Sequence, residues 1–178
     1  MMRFAPAFFA AALFVTPAVA ALKTGDKAPD FTAPASLGGK EFTFALADAL
    51  KKGPVVVYFY PKAFTKGCSL EAHAFAEAMP QFEAAGASVI GVSHDDIATL
   101  DKFSAADCAS AFPVASDGDQ HIMTAYDAVL GGAHPELANR TSYLVSPGGT
   151  VIAEFTDLDY SKHVDTMLAA LKSWKASH

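Results

Sequence analysis

Apolar positions along this chain change their period several times, and each change marks an expected element. Val55-Val56-Val57-Tyr58-Phe59-Tyr60 follows Pro54 as a continuous β-branched and aromatic run, which predicts a strand covered on both faces. Cys68, Ala72, Phe75, Met79 and Phe82 then recur at steps of four, three, four and three. That spacing predicts a helix over 69–82 with Cys68 in its first turn. Pro80 interrupts the pattern and predicts a kink or a break near Met79. Residues 87–93 read as a second buried strand, and Asp95 or Asp96 stands where it would cap a helix running to about Cys108. A short extended piece over 113–116, a turn and a helix over 120–126 come next. Residues 128–139, with two glycines and a proline, read as a loop. Residues 140–146 and 150–155 flank Pro147-Gly148-Gly149 as a hairpin, and an amphipathic helix from about Ser161 or Lys162 to Trp174 follows. Ahead of all these lie an extended entry over 28–35, a Leu37-Gly38-Gly39 turn, a strand over 41–44 and a short helix over 45–51.

Parallel strands joined by helices, followed by an antiparallel pair with a covering helix, form the order of a thioredoxin-like α/β fold, a central mixed sheet flanked by helices. There are no internal repeats, low-complexity tracts or charge blocks, so residues 21–178 are expected to form a single domain. The first twenty residues are read differently. Met1-Met2-Arg3 gives a positive start, residues 4–15 an apolar stretch, and Ala18-Val19-Ala20 a small-x-small site. This predicts a cleaved signal peptide and a periplasmic or secreted protein, with an uncleaved anchor as the alternative. No later segment approaches the roughly 18 apolar residues of a membrane span, so no membrane partner is expected for the mature form.

Composition then narrows the partners. The full chain carries a net charge of −6, and loss of Arg3 with the leader makes it −7. That balance argues against nucleic acid and against an anionic membrane surface. Two cysteines, Cys68 and Cys108, remain after cleavage, and an exported location allows them to pair. Cys68 stands out because a thiol in the first turn of a helix meets unpaired N–H groups and the positive end of the helix dipole.

The segment Tyr58-Phe59-Tyr60-Pro61-Lys62-Ala63-Phe64-Thr65-Lys66-Gly67-Cys68 resembles the peroxiredoxin active-site motif, Pro-x-x-x-Thr-x-x-Cys. The resemblance extends over nearly the whole mature chain. It takes in Gly25-Asp26-Lys27-Ala28-Pro29-Asp30-Phe31, Gly91-Val92-Ser93-His94-Asp95, Phe112-Pro113 to Ser116-Asp117 and Arg140-Thr141-Ser142-Tyr143-Leu144-Val145. Among subfamilies the chain is most similar to the bacterioferritin-comigratory, or PrxQ, branch. The resemblance implies a peroxidatic Cys68, activated by Thr65 and Arg140, in a pocket shielded by Pro61. It also implies a peroxide substrate, reduction by a thioredoxin-like or other thiol, no cofactor, no metal, and a monomer. The branch commonly sets a resolving cysteine five residues after the peroxidatic one, where this chain has His73. Some members place it in the helix after the second strand, which makes Cys108 the candidate. Such a bond needs the two Cα atoms within about 7 Å, by unwinding of the turn that bears Cys68 if they start further apart. Ala63-Phe64 and Lys66 replace the acidic pair and the proline usual in this branch.

Plainer roles stand beside these. Cys68 or Cys108 reads equally as a buried structural thiol, Arg140 as a surface ion-pair residue, and Thr65 as a helix cap. Glu71 reads either as an orienter of Arg140 or as an exposed helical glutamate. Cys68 and His73, five apart, do not share a helix face and make no metal site. Two further functions are weighed against the peroxidase. A periplasmic thioredoxin-like thiol–disulfide oxidoreductase would need Cys-x-x-Cys, where Cys68-Ser69-Leu70-Glu71 stands. A non-catalytic thioredoxin-fold binding protein would be expected to have lost Thr65 or Arg140.

Overall fold

The computed structural model describes residues 22–177, so the expected signal peptide over 1–20 lies outside the described residues. The chain runs β1 (Thr32–Leu37), β2 (Lys40–Ala45), α1 (Leu46–Leu50), β3 (Val55–Phe59), α2 (Lys66–Ala84), β4 (Ser88–Ser93), α3 (Ile97–Ala106), β5 (Val114–Ser116), α4 (His121–Ala125), β6 (Thr141–Val145), β7 (Val151–Thr156), a helical turn over Tyr160–Lys162, and α5 (His163–Ala176). The strands form one seven-stranded mixed sheet in the order β2-β1-β5-β4-β3-β6-β7. β3, β4 and β5 are parallel to one another, while β6 pairs antiparallel with β3, and β1 antiparallel with β5. This is the expected central sheet flanked by helices.

The continuous apolar run of β3 is explained by burial on both faces. Val56 and Tyr58, with Tyr60 just beyond the strand, enter one core with Phe75, Met79 and Phe82 of α2, Phe103 of α3 and Met167 of α5. Val55, Val57 and Phe59 point the other way, into a second core closed by Leu46 and Leu50 of α1 and Met123 of α4. Period-two alternation thus splits one hydrophobic stretch between two layers. No helix among the described residues is long and apolar enough to cross a membrane.

Two local expectations are corrected. α2 runs through Pro80 to Ala84 with no break at Met79. Pro80 is exposed, so the Ala76 carbonyl that its missing N–H leaves unpaired sits on the watery side, and buried Phe82 anchors the turn beyond it. The expected turn at Leu37-Gly38-Gly39 is shorter: Leu37 still belongs to β1 and pairs with Lys40 of β2, so Gly38 and Gly39 alone make the turn.

Gly53, which leads into β3, has φ +156°, and a Cβ there would sit 2.0 Å from the Gly86 carbonyl oxygen. Gly53→Ala is therefore expected to lower stability by at least about 2 kcal/mol in urea unfolding. An unchanged midpoint would show that the two turns yield without cost.

Candidate active site

Strand pairing brings the candidate residues together. Phe59, the last residue of β3, pairs with Thr141, the first of β6. The loop leaving β3 and the residue entering β6 therefore meet at the same end of the sheet, although they are far apart in sequence. That loop carries Pro61 and Thr65 and opens α2 two residues before Cys68, while Arg140 immediately precedes β6.

Cys68 is 2% exposed and Arg140 5% exposed, and Arg140 Nη2 donates to Cys68 Sγ at 3.5 Å. Two other donors of the guanidinium are also used. Nη1 donates to Glu71 Oε2, and Nε donates to the Leu158 carbonyl at 3.0 Å. Arg140's own backbone N–H is taken by Asn139 Oδ1 at 2.8 Å. A guanidinium held on three sides presents a directed positive fork to the sulfur. Burial opposes the charge on Arg140, but Glu71 and Cys68 together outweigh it and raise its proton affinity. Burial also raises Glu71, to about 8, with Arg140 pulling the other way.

The helix start supplies further donors. Ser69 N–H makes the first bond of the α2 ladder, to the Thr65 carbonyl at 2.9 Å, so the amides of Gly67 and Cys68 stand outside it. Gly67 carries no Cβ because one would lie 3.2 Å from Arg140 Nη2. The preceding loop is pinned by Asp95, whose Oδ2 accepts from Ala63 N–H at 2.7 Å and from Ser93 Oγ at 2.9 Å. Phe64 adopts φ +61° and packs edge-on against Phe103 of α3, with ring centroids 5.3 Å apart.

The other candidates lie as follows. Thr65 occupies the N-cap position, but its hydroxyl donates to the Lys62 carbonyl at 2.9 Å and makes no capping bond. Pro61 and Phe64 line a cleft of about 870 Å³ shared with His94, Asp95 and Glu136; Cys68 and Arg140 are not among its walls. Cys108 sits just past α3, fully buried, in the same core cluster as Cys68, and both thiols are free. Burial, and then neighbouring Asp107, push the Cys108 thiol far up, so it stays protonated in this state. His73 lies on the exposed side of α2, its Nε2 3.7 Å from Asp107 Oδ1.

Glu71 is fully buried against Arg140, which decides between the two readings its position allowed. A clue was present: it stands three residues after Cys68, beside Ala72 on the apolar face of α2. His163 is a neighbour of the site that no sequence motif singles out. It is fully buried next to Glu71, and its place beside Val164, Met167 and Leu171 on the apolar face of α5 was the available signal.

Comparison with known proteins agrees with this arrangement. A model of the AhpC/TSA family matches residues 24–154. Peroxiredoxin Bcp of Xanthomonas campestris pv. campestris is 37% identical over 153 residues, covering 82% of this chain and 92% of the relative. Escherichia coli K12 peroxiredoxin Bcp is 31% identical over 156 residues, covering 85% and 96%. This chain belongs to the AhpC/TSA family and is a peroxiredoxin of the Bcp/PrxQ branch. Among solved structures, peroxidoxin BcpB of Mycobacterium tuberculosis superposes with a TM-score of 0.77 at 28% identity, covering 85% of this chain and 97% of that one. A cysteine-to-serine variant of Xylella fastidiosa PrxQ gives 0.78 at 26% identity, covering 88% and 99%. As a peroxiredoxin the protein is a thiol-dependent peroxidase, an oxidoreductase that acts on peroxides with a thiol as reductant.

In this peroxiredoxin, loss of Glu71 would strand a buried guanidinium. Glu71→Ala is expected to cost about 3 kcal/mol in urea unfolding. A cost below about 1 kcal/mol would mean that water or another acceptor replaces the carboxyl group.

Proposed function

We propose that this peroxiredoxin is an exported enzyme that reduces hydrogen peroxide and organic hydroperoxides with Cys68 as the peroxidatic nucleophile. The observation that carries the reading is the Arg140 fork on Cys68 Sγ, backed by Glu71. Cys68 sulfur attacks one peroxide oxygen, the O–O bond breaks, and the departing oxygen leaves with the bonding pair and takes up a proton as water or alcohol. Cys68 ends as a sulfenic acid. Negative charge moves from sulfur to the leaving oxygen during this step, and Arg140 with the Gly67 and Cys68 amides supplies fixed donors for it. The Thr65 hydroxyl accepts from the incoming peroxide, and Pro61 shields the pocket. The Xanthomonas campestris bacterioferritin comigratory protein, 35% identical in sequence, is described by its alkyl peroxide reduction activity, which supports organic hydroperoxides as substrates here.

Cys108 then resolves Cys68. Its thiol sulfur displaces the sulfenic oxygen, a disulfide forms and water leaves; an external thioredoxin-like or other dithiol reduces the disulfide. The Cys108 thiol is buried and held protonated, so this step requires local opening. The left-handed residues Ala109 (φ 49°) and Ser110 (φ 57°), directly beyond it, make that segment a place where opening is cheap. The signal-like residues 1–20 support a periplasmic or secreted enzyme, and the branch resembled supports a monomer. The disulfide-oxidoreductase reading lacks its second thiol, since the fourth position of the motif is Glu71.

Reduced protein treated with hydrogen peroxide and read by mass spectrometry tests the assignment. Wild type is expected to form a 68–108 disulfide rapidly, Cys108→Ser to stop at a Cys68 sulfenic acid, and Cys68→Ser not to react. A Cys68 that oxidises no faster than a free cysteine would end the peroxidase assignment, and a persistent sulfenic acid in wild type would remove Cys108 from it. Arg140→Lys, which keeps the charge but loses the fork, is expected to slow Cys68 oxidation about 100-fold by stopped-flow fluorescence. A rate within a few-fold of wild type would show that charge alone suffices.

A further inference from the structure

Behind the Arg140–Glu71 pair lies a buried histidine that the chemistry above leaves unused. His163 opens α5 with no solvent exposure and packs edge-on against Phe155, ring centroids 4.8 Å apart. Its Nε2 faces the Asp157 carbonyl oxygen at 2.9 Å; a carbonyl only accepts, so Nε2 carries a proton. Nδ1 is left facing Ser142 Oγ at 2.8 Å and Glu71 Oε1 at 3.7 Å. Glu71 Oε1 is itself buried and makes no hydrogen bond, while Oε2 is held by Arg140. A neutral ring and an ionised carboxylate would set two lone pairs against each other here. A proton on Oε1 removes that opposition, while Nδ1 keeps Ser142 Oγ as its hydrogen-bond partner.

We propose that His163 is a positioning residue for the Cys68–Arg140 pair, its Nδ1 standing 3.7 Å from Glu71 Oε1, where its lone pair attracts a proton carried by that oxygen and so fixes the carboxyl group that holds the guanidinium on the sulfur. Ser142 and Arg140 stand two residues apart at the start of β6, so the histidine's polar neighbours and the arginine move as one unit. The groups that face His163 are Glu71 from α2, Arg140 ahead of β6, and Asp157 and Asp159 from the segment after β7. Burial comes first among the influences on both partners: it raises Glu71 and lowers His163, which leaves the proton on the carboxyl oxygen and the ring neutral. Arg140's charge is then less cancelled by Glu71 and more available to the sulfur.

The inference rests on Cys68 being the peroxidatic thiol, and the test separates the two. An asparagine side chain can set its amide carbonyl oxygen near the place of the imidazole Nδ1 and accept from Oε1, whereas a glutamine amide reaches only the place of Nε2. In stopped-flow oxidation of Cys68 by hydrogen peroxide, His163→Gln is expected to be slowed about tenfold or more, and His163→Asn to recover most of the rate. Equal rates for His163→Gln and wild type overturn the proposal. Equally slow Asn and Gln variants also overturn it, because a loss that any change of the ring produces is packing alone. Should the His163 variants fail to fold, nitrogen NMR of Ser142→Ala protein decides the matter. With the hydroxyl gone, a His163 Nδ1 resonance that still reports a hydrogen-bonded lone pair supports Glu71 as donor, and a free lone pair overturns it. If wild-type Cys68 is no faster than a free thiol, it is the peroxidase assignment that falls.

Discussion

A guanidinium buried between a sulfur and a carboxyl group sets the terms for the rest of this structure. Desolvating such a charge costs several kcal/mol unless every donor finds a partner with good geometry. Arg140 answers that demand through three of its five N–H donors, which reach Cys68 Sγ, Glu71 Oε2 and the Leu158 carbonyl. Two of these come from the first two turns of α2 and one from the segment after β7. The helix must therefore start at Lys66, so that Cys68 and Glu71 share a face. β3 and β6 must pair with Phe59 opposite Thr141, so that Arg140 reaches them. A one-residue slip between those strands would send the alternate side chains to the wrong layer.

The same burial that sharpens the Cys68 site restrains Cys108. Both sulfurs lie in one core cluster with Tyr58, Tyr60, Phe75 and Phe103, and Tyr58 and Tyr60 feel both electrostatically. Close packing keeps the phenols neutral and Cys108 protonated, since burial in apolar surroundings disfavours every anion without a cationic partner. Of the two thiols, Cys68 alone has Arg140 beside it. On the function proposed above, reactivity is localised by where the positive charge is aimed, and the resolving step depends on loosening the turn after α3, where the backbone is already unfavourably bent at Ala109 and Ser110.

Much of this protein was legible in its residue pattern. The switch from a continuous apolar run to a period of 3.6 after Tyr60 located β3 and α2, and the spacing of Pro61, Thr65 and Cys68, with Arg140 far along the chain, singled out the residues that the fold gathers at one end of the sheet. Periodicity reports which side of an element is buried, a property of near neighbours, so it carried that far. It also misjudged Pro80. Helix breaking by proline is a local tendency, and tertiary packing of Phe82 outweighed it in α2.

Partners in space were a different matter. Glu71 stood on the apolar face of α2, yet nothing nearby in sequence said whether a charge would meet it there. Its partners, Arg140 and His163, are 69 and 92 positions away, and they reach it only because the antiparallel pairing of β3, β6 and β7 returns the chain over the start of α2. The sequence by itself determined the layers, Cys68's place at a helix start and the presence of a distant arginine, because hydrophobic burial and helix-end electrostatics act over a few residues. Only the tertiary structure decided that Glu71 and His163 belong behind that arginine, because the cost of burying a charge is met by whatever groups the sheet register delivers.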